Sequence, residues 1–242
     1  MTIILGYNAN HADSAACLVI DGKLVGAVAE ERLGDRQKHS PAFPANAIRH
    51  LLNDAGLRLR DVTHVATARD PSANKAAKMA YVARNPMRAA GAVLEHLSRN
   101  RRTTSMVDQL AEICDEDPSK TNFQSIGIEH HLCHIASAWY LSPFEETSAG
   151  FSYDASGDFC SMMAARCEGP HIQVLDRVTL PDSLGFFYTA LCQFIGFDDF
   201  GEEYKVMGLA PYGEDKYAEL MHELVELIPG GWYRLGEGFF GM

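Results

Sequence analysis

Long apolar runs are missing from this sequence: nowhere do about eighteen apolar residues follow one another, so a membrane-crossing helix is not expected. The amino-terminal stretch Met1-Thr-Ile-Ile-Leu-Gly also lacks the basic region of a signal peptide, which points to the cytoplasm. Positive charge is short as well. Lys and Arg number 21 against 32 Asp and Glu, and the formal net charge of -11 opposes attraction to phosphate backbones, so nucleic acid is not the expected partner. There is no CxxC pair. The six cysteines, at 17, 114, 133, 160, 167 and 192, have no regular spacing, and several sit inside apolar runs, so they read as reduced core thiols. No phosphate-cradling GxxxxGK[ST] loop occurs anywhere.

What remains is a chain of 242 residues, 47% hydrophobic, long enough to bury one large core or two modest ones. Its alternation of short apolar segments and helical stretches predicts an α/β fold. Ile3 to Asn8 is an apolar strand that leads into the polar turn Ala9-Asn10-His11-Ala12-Asp13-Ser14. Ala15 to Ile20 and Lys23 to Ala29 read as a hairpin closed by Asp21-Gly22. A polar turn between two apolar strands is where a sheet presents amides and side chains to a small ligand. His11, Asp13 and Ser14 are therefore candidates for chemistry, although such residues are also ordinary turn formers.

The charged stretch from Glu30 to His39 suits an anionic ligand, with Arg32 and Lys38 binding it and Glu30 or Glu31 holding them; a solvated surface loop is the alternative. Pro44 to Ala55 has helical spacing, with Ile48, Leu51 and Leu52 on one face and Gly56 as a stop. Residues 71–120 break the strand pattern and read as a helical insertion. Its cations from Lys75 to Arg102 form either a cradle for an anionic substrate or a solvated helical face.

Glu129-His130-His131-Leu132-Cys133-His134 opens the most informative segment. On a helix over 130–140, His130 and His134 lie one turn apart on one face, the separation at which two imidazoles hold one metal ion. Ala149 to Asp154 has the character of a buried strand, and Asp154 at its end is a third ligand candidate. Cys133 cannot share a helical face with the adjacent His134 and reads as packing.

Beyond this point the pattern of the first half returns. Gly150 to Asp158, Phe159 to Arg166, Glu168-Gly169 and His171 to Thr179 match in kind the strand, turn and hairpin of residues 5–29. Two related lobes are expected, 1–148 with the insertion at about 71–120, and 149–242, facing each other across a ligand cleft. Ser183 is placed to cap a helix to about Phe197, Gly201 to Gly213 reads as a ligand-facing loop, and Lys216 to Ile228 as a last helix. The second lobe is expected to be truncated, with apolar surface uncovered around Trp232, Tyr233, Phe239 and Phe240.

Six motifs, in this order, resemble the O-carbamoyltransferases of nodulation-factor and antibiotic biosynthesis. They are Asn10-His11-x-Asp13-Ser14-Ala15-Ala16; Glu30-Glu31-Arg32 with Lys38-His39 and Phe43-Pro44; His130-His131-x-x-His134; Asp154-x-x-Gly157-Asp158; Ser183-Leu-Gly-Phe-Phe-Tyr188; and Gly201-Glu-Glu-x-Lys205-x-Met-Gly208-Leu-Ala-Pro-Tyr-Gly213. The resemblance implies duplicated actin-like ATPase (ribonuclease H-like) lobes, related to the threonylcarbamoyl-transferring protein of tRNA modification. It also implies transfer of a carbamoyl group to a hydroxyl of a small molecule, from carbamoyl-adenylate made by a further domain from carbamoyl phosphate and ATP.

Carried over by motif, His130, His134 and Asp154 match metal ligands, usually iron. His11 matches a histidine near the transferring group, Lys38 a basic position beside it, and Asp13 completes the catalytic candidates. Arg32, Gly157, Asp158, Lys205 and Gly208 are the candidates for cofactor binding, with magnesium accompanying ATP. Members of that family are more than twice this length. The chain is therefore expected to need a carboxy-terminal continuation or a partner chain, and to bind that part or to self-associate as a homo-oligomer. Two rival functions stay open at this point: an incomplete binding or regulatory module, such as one subunit of a split enzyme, and a tRNA threonylcarbamoyl-type transferase.

Overall fold

The computed structural model of the chain describes residues 1–9, 13–34, 40, 42–87, 106–199, 201–230 and 232–236. They form two compact units, Met1–Ser72 with Met79–Glu129, and Ala73–Lys78 with His130–Met242.

In the first unit, β1 (Ile3–Asn8) buries Ile3 and Leu5, and β2 (Ala15–Ile20) buries Ala16 and Leu18, the period-2 pattern of strands with one face against a core. β3 (Lys23–Ala29) follows through a turn in which Asp21 and Gly22 both have positive φ, the type I′ geometry that Asp-Gly favours. β4 (His64–Thr67) and β5 (Gln124–Gly127) complete a five-stranded sheet of order β3-β2-β1-β4-β5. The first three strands are antiparallel neighbours, whereas β4 runs parallel to both β1 and β5.

Helix α1 (Ala45–Asp54) lays Ala47, Ile48, Leu51 and Leu52 on this sheet, and Gly56 with φ 63° ends it as expected. Each such buried aliphatic side chain contributes about 1.5–3 kcal/mol. Within 71–120 the described elements wider than a single turn are helical, α2 (Lys75–Arg84) and α3 (Met106–Ile113); the basic residues from Arg88 to Arg102 lie outside the described residues.

The second unit opens with α4 (His130–Tyr140), then β6 (Ser148–Gly157), β7 (Cys160–Glu168) and β8 (His171–Thr179), an antiparallel meander. It repeats the β1-β2-β3 arrangement, so the duplication read from the sequence is present in the chain. Strands and helices alternate along both units, which is the α/β class expected from the sequence. Helix α4 belongs to this unit and not to the end of a lobe ending at 148, because Ile135 and Trp139 pack with Cys160, Met163, Ala165 and Cys167. Gly150 admits that approach, since a Cβ there would stand 2.8 Å from Ile135 Cγ2.

Helix α5 (Leu184–Phe194) is capped by Ser183, whose hydroxyl accepts from the Phe186 amide at 3.1 Å. Two expectations fail beyond it. Residues 203–209 are a helix, α6 (Glu203–Leu209), rather than a loop, because Glu-Tyr-Lys-Val-Met propagates a turn and a glycine at 208 near its end costs little. The last helix, α7 (Ala218–Leu224), stops early, and Val225–Ile228 becomes β9, paired antiparallel with β10 (Trp232–Leu235). That pairing overrides the helical reading of 225–228. Tyr233 on β10 is buried against Met162 and Val178, and Trp232 packs partly buried beside it, so these two do not form the uncovered patch expected of them. Phe239 and Phe240 lie outside the described residues.

All six cysteines are free, and burial pushes the Cys114 thiol up to about 11, in keeping with inert core thiols. Among the described residues no helix is long and apolar enough to cross a membrane.

Candidate metal centre

The helical phase of α4 brings His130 and His134 together, with ring centroids 4.6 Å apart and planes at 83°. Their Nε2 atoms are 3.0 Å apart, and Asp154 Oδ2, near the end of β6, lies 2.9 Å from His130 Nε2 and 3.5 Å from His134 Nε2. The other carboxylate oxygen, Oδ1, accepts from the Ala155 amide at 2.6 Å, which turns Oδ2 toward the imidazoles. Hydrogen bonds to His130 and then His134 hold the Asp154 carboxyl far below the usual carboxylate range.

The donor set passes a test of fit to a metal ion. Atoms bound at about 2.0–2.2 Å to one cation stand roughly 2.9–3.5 Å from one another. The three observed separations, 2.9, 3.0 and 3.5 Å, fall in that range. Two imidazoles and one carboxylate form the facial set that suits iron or zinc and leaves positions open for substrate. His134 is the most exposed of the three, so the site faces solvent on that side.

His131, between the two ligands, has a different task that the sequence did not disclose. It is fully buried; its Nε2–H donates to the Cys160 carbonyl at 3.0 Å, and Nδ1 accepts from the Ser152 hydroxyl at 2.8 Å. Burial lowers its pKa and keeps the ring neutral. Both nitrogens are thus committed to holding α4 on the β6–β7 pair. The doubled His130-His131 was the available signal, because consecutive helical positions face about 100° apart and cannot both point at one ion.

Gly185 is a second residue missed. It sits in the first turn of α5, and a Cβ there would meet Ala155 N and Cα at 2.5 Å. Ser183 Oγ donates to the Ala155 carbonyl at 2.6 Å in the same place, so α5 abuts the strand end that carries Asp154. Gly185→Ala is expected to shift that backbone, lower stability by about 1–3 kcal/mol and weaken metal binding. A melting curve and a metal titration of the variant check both parts, and unchanged values for both would remove Gly185 from the site.

The remaining candidates divide. Gly157 and Asp158 lie beside His130: the Asp158 carboxylate accepts from the His130 amide at 3.0 Å. Lys205, on α6, pairs with Glu202 and stands 6.0 Å from the Phe197 ring centroid, and Gly208 is at the end of the same helix with open space where a Cβ would be. In the first unit, Arg32 pairs with Glu31 at 3.3 Å, and Asp13 is exposed, its carbonyl accepting from Asn8 Nδ2 at 3.3 Å. Glu30 does not hold Arg32, whose partner is Glu31. It is buried, and its carboxylate accepts from Asn46 N, Asn46 Nδ2 and Ala47 N at 3.1, 2.8 and 2.8 Å, which caps α1 where Pro44 has no side chain to do so. His11 and Lys38 lie outside the described residues.

An uncharacterized protein of Synechocystis, sll1178, is 34% identical over 249 residues, covering 99% of this chain and 40% of its own. Nodulation protein NolNO of Sinorhizobium fredii is 35% identical over 228 residues, 92% of this chain and 31% of its own. The chain thus spans less than half the length of these relatives. Among solved structures, YeaZ from Pseudomonas aeruginosa aligns with a TM-score of 0.39 at 14% identity, over 75% of this chain and 68% of that one. The family model described as carbamoyltransferase N-terminus matches residues 3–240, nearly the whole sequence, and the chain belongs to that family.

Proposed function

We propose that this chain is the carbamoyl-transferring part of an O-carbamoyltransferase, acting in the cytoplasm on a hydroxyl of a small molecule. The observation that carries the reading is the convergence of His130, His134 and Asp154 on one point in a chain of the carbamoyltransferase N-terminus family. The donor is carbamoyl-adenylate, made from carbamoyl phosphate and ATP with magnesium by the region that the longer relatives carry or by a partner chain. His130, His134 and Asp154 would hold a cation, iron in the first instance, and when bound it would supply Lewis-acid polarisation of a carbonyl oxygen.

The chain's own residues do the rest. An alcohol is a weak nucleophile, so His11 takes the hydroxyl proton as the oxygen attacks the carbamoyl carbon. Lys38 offsets the negative charge that grows as the bond to the adenylate phosphate breaks and AMP leaves. Asp13 is a further catalytic candidate, and Arg32 in the first unit and, separately, Lys205 and Gly208 in the second are candidates for binding the nucleotide. The net charge of -11 favours a small-molecule acceptor over tRNA.

The test is a reconstituted reaction: the chain, a carbamoyl-adenylate-forming domain from a full-length relative, ATP, labelled carbamoyl phosphate and a set of hydroxyl-bearing small molecules. Labelled carbamate ester is expected only with both proteins present. His11→Ala is expected to lower transfer by about 100-fold or more while its melting temperature stays near that of the wild type. Normal transfer by His11→Ala would remove its role. Pyrophosphate release by the 242-residue chain alone would overturn the division of labour.

A further inference from the structure

The turn between β6 and β7 has an unusual shape for its sequence. Gly157 and Cys160 pair across it, and the two residues between them, Asp158 and Phe159, both have positive φ, 52° and 71°. This is the two-residue geometry that Asp-Gly suits, and the β2–β3 hairpin uses Asp21-Gly22 for it. Here the second place holds a phenylalanine, a bulky residue in a region that costs about 1–3 kcal/mol to occupy. Strain of this kind persists where the surrounding structure requires the shape.

The requirement is visible at α4. Asp158 Oδ2 accepts from the backbone amide of His130, the first residue of the helix, at 3.0 Å. The Asp158 carbonyl accepts from Asn74 Nδ2 at 3.1 Å, which fixes the turn from the other side. Gly157 lies flat against the His130 imidazole, where a Cβ would overlap ring atoms. His130 is therefore held at two points, its amide by Asp158 and its ring by Gly157, while its Nε2 faces Asp154 at 2.9 Å. Because Asp154 and Asp158 belong to one strand and the turn that ends it, the same hairpin supplies a ligand and sets the helix that supplies the other two.

We propose that Asp158, with Gly157, is a positioning residue of the metal centre and not a nucleotide-binding group. Its carboxylate caps α4 from the neighbouring hairpin and fixes the height and rotation of the helix, so that His130 and His134 reach the same oxygen of Asp154. The proposal rests on the metal reading of those three residues. Asp158 acts through His130, as outer groups that orient a ligand do, and the loss of such a group typically weakens binding 10–100-fold.

The experiment is a titration of the purified chain with cobalt(II), followed by its visible absorption bands, on wild type and on Asp158→Ala, Asp158→Asn, Asn74→Ala and the His130→Ala, His134→Ala double variant. Asp158→Ala is expected to bind cobalt about 10–100-fold more weakly, with altered bands. Asp158→Asn keeps an acceptor oxygen for the His130 amide and is expected to stay within about threefold of wild type. Asn74→Ala falls between them. Circular dichroism records whether each variant is folded. A folded Asp158→Ala with wild-type affinity and bands overturns the proposal; if that variant does not fold, wild-type affinity and bands in Asn74→Ala overturn it. Failure of wild type to take cobalt, or equal uptake by the double histidine variant, overturns the metal site itself and this proposal with it, whereas wild-type binding with an insensitive Asp158 overturns the positioning role alone.

Discussion

Elemental analysis of the chain, purified without a histidine tag, is expected to find about one equivalent of iron or another divalent metal, and less than about a tenth of that in the His130→Ala, His134→Ala double variant. The effect is large because each imidazole removed takes away one of three donors, and the Asp154 carboxylate that remains is a weak monodentate ligand on its own. Stability should change far less. His134 is half exposed, and the bond from His130 to Asp158 is made by its backbone amide, which alanine retains, so the loss is confined to the packing of one ring against Gly157. Equal metal content in wild type and double variant would exclude these residues as the site.

Glu30→Ala is expected to lower the stability of the first unit by about 2–3 kcal/mol, a large share of the reserve of an ordinary domain. Removing the carboxylate leaves the amides of Asn46 and Ala47 without their acceptor at the buried amino terminus of α1. It also frees the Asn46 side chain. Glu30→Gln keeps one acceptor oxygen and should recover about half of the loss. Urea denaturation followed by far-ultraviolet circular dichroism measures both, and a change below about 0.5 kcal/mol for Glu30→Ala would show that water replaces the cap at no cost.

These two residues also mark how far the sequence is readable. The histidine pair was legible because helical periodicity converts a spacing of four into a shared face, and Asp154 because an apolar strand ends on it. Glu30 was not, since its partners are Asn46 and Ala47, sixteen and seventeen positions away, and its place beside Arg32 offered a nearer but incorrect partner. Hairpins were legible through Asp21-Gly22 and the alternation on either side. The exchange of helix for strand at 225–228 was not, because Val-Glu-Leu-Ile fits either pattern and only the pairing with Trp232 to Leu235 decides. Asp158 was read as a cofactor-binding candidate, whereas its partner in the fold, a backbone amide 28 residues earlier, is tertiary information.

The contact between Asn74 and Asp158 has a consequence for synthesis. It joins residues 84 positions apart, and Ala73–Lys78 belongs to the second unit although the chain on either side of it belongs to the first. At about 5–20 residues per second on the ribosome, the segment emerges roughly 4–17 seconds before the turn it is to meet. The first unit ends at Glu129, 29 residues before Asp158, so its own sheet has roughly 1.5–6 seconds to assemble while this short stretch stays exposed on the nascent chain. Completion of the second unit then waits on a long-range closure, and agents that bind emerging polypeptides have their opportunity at 73–78.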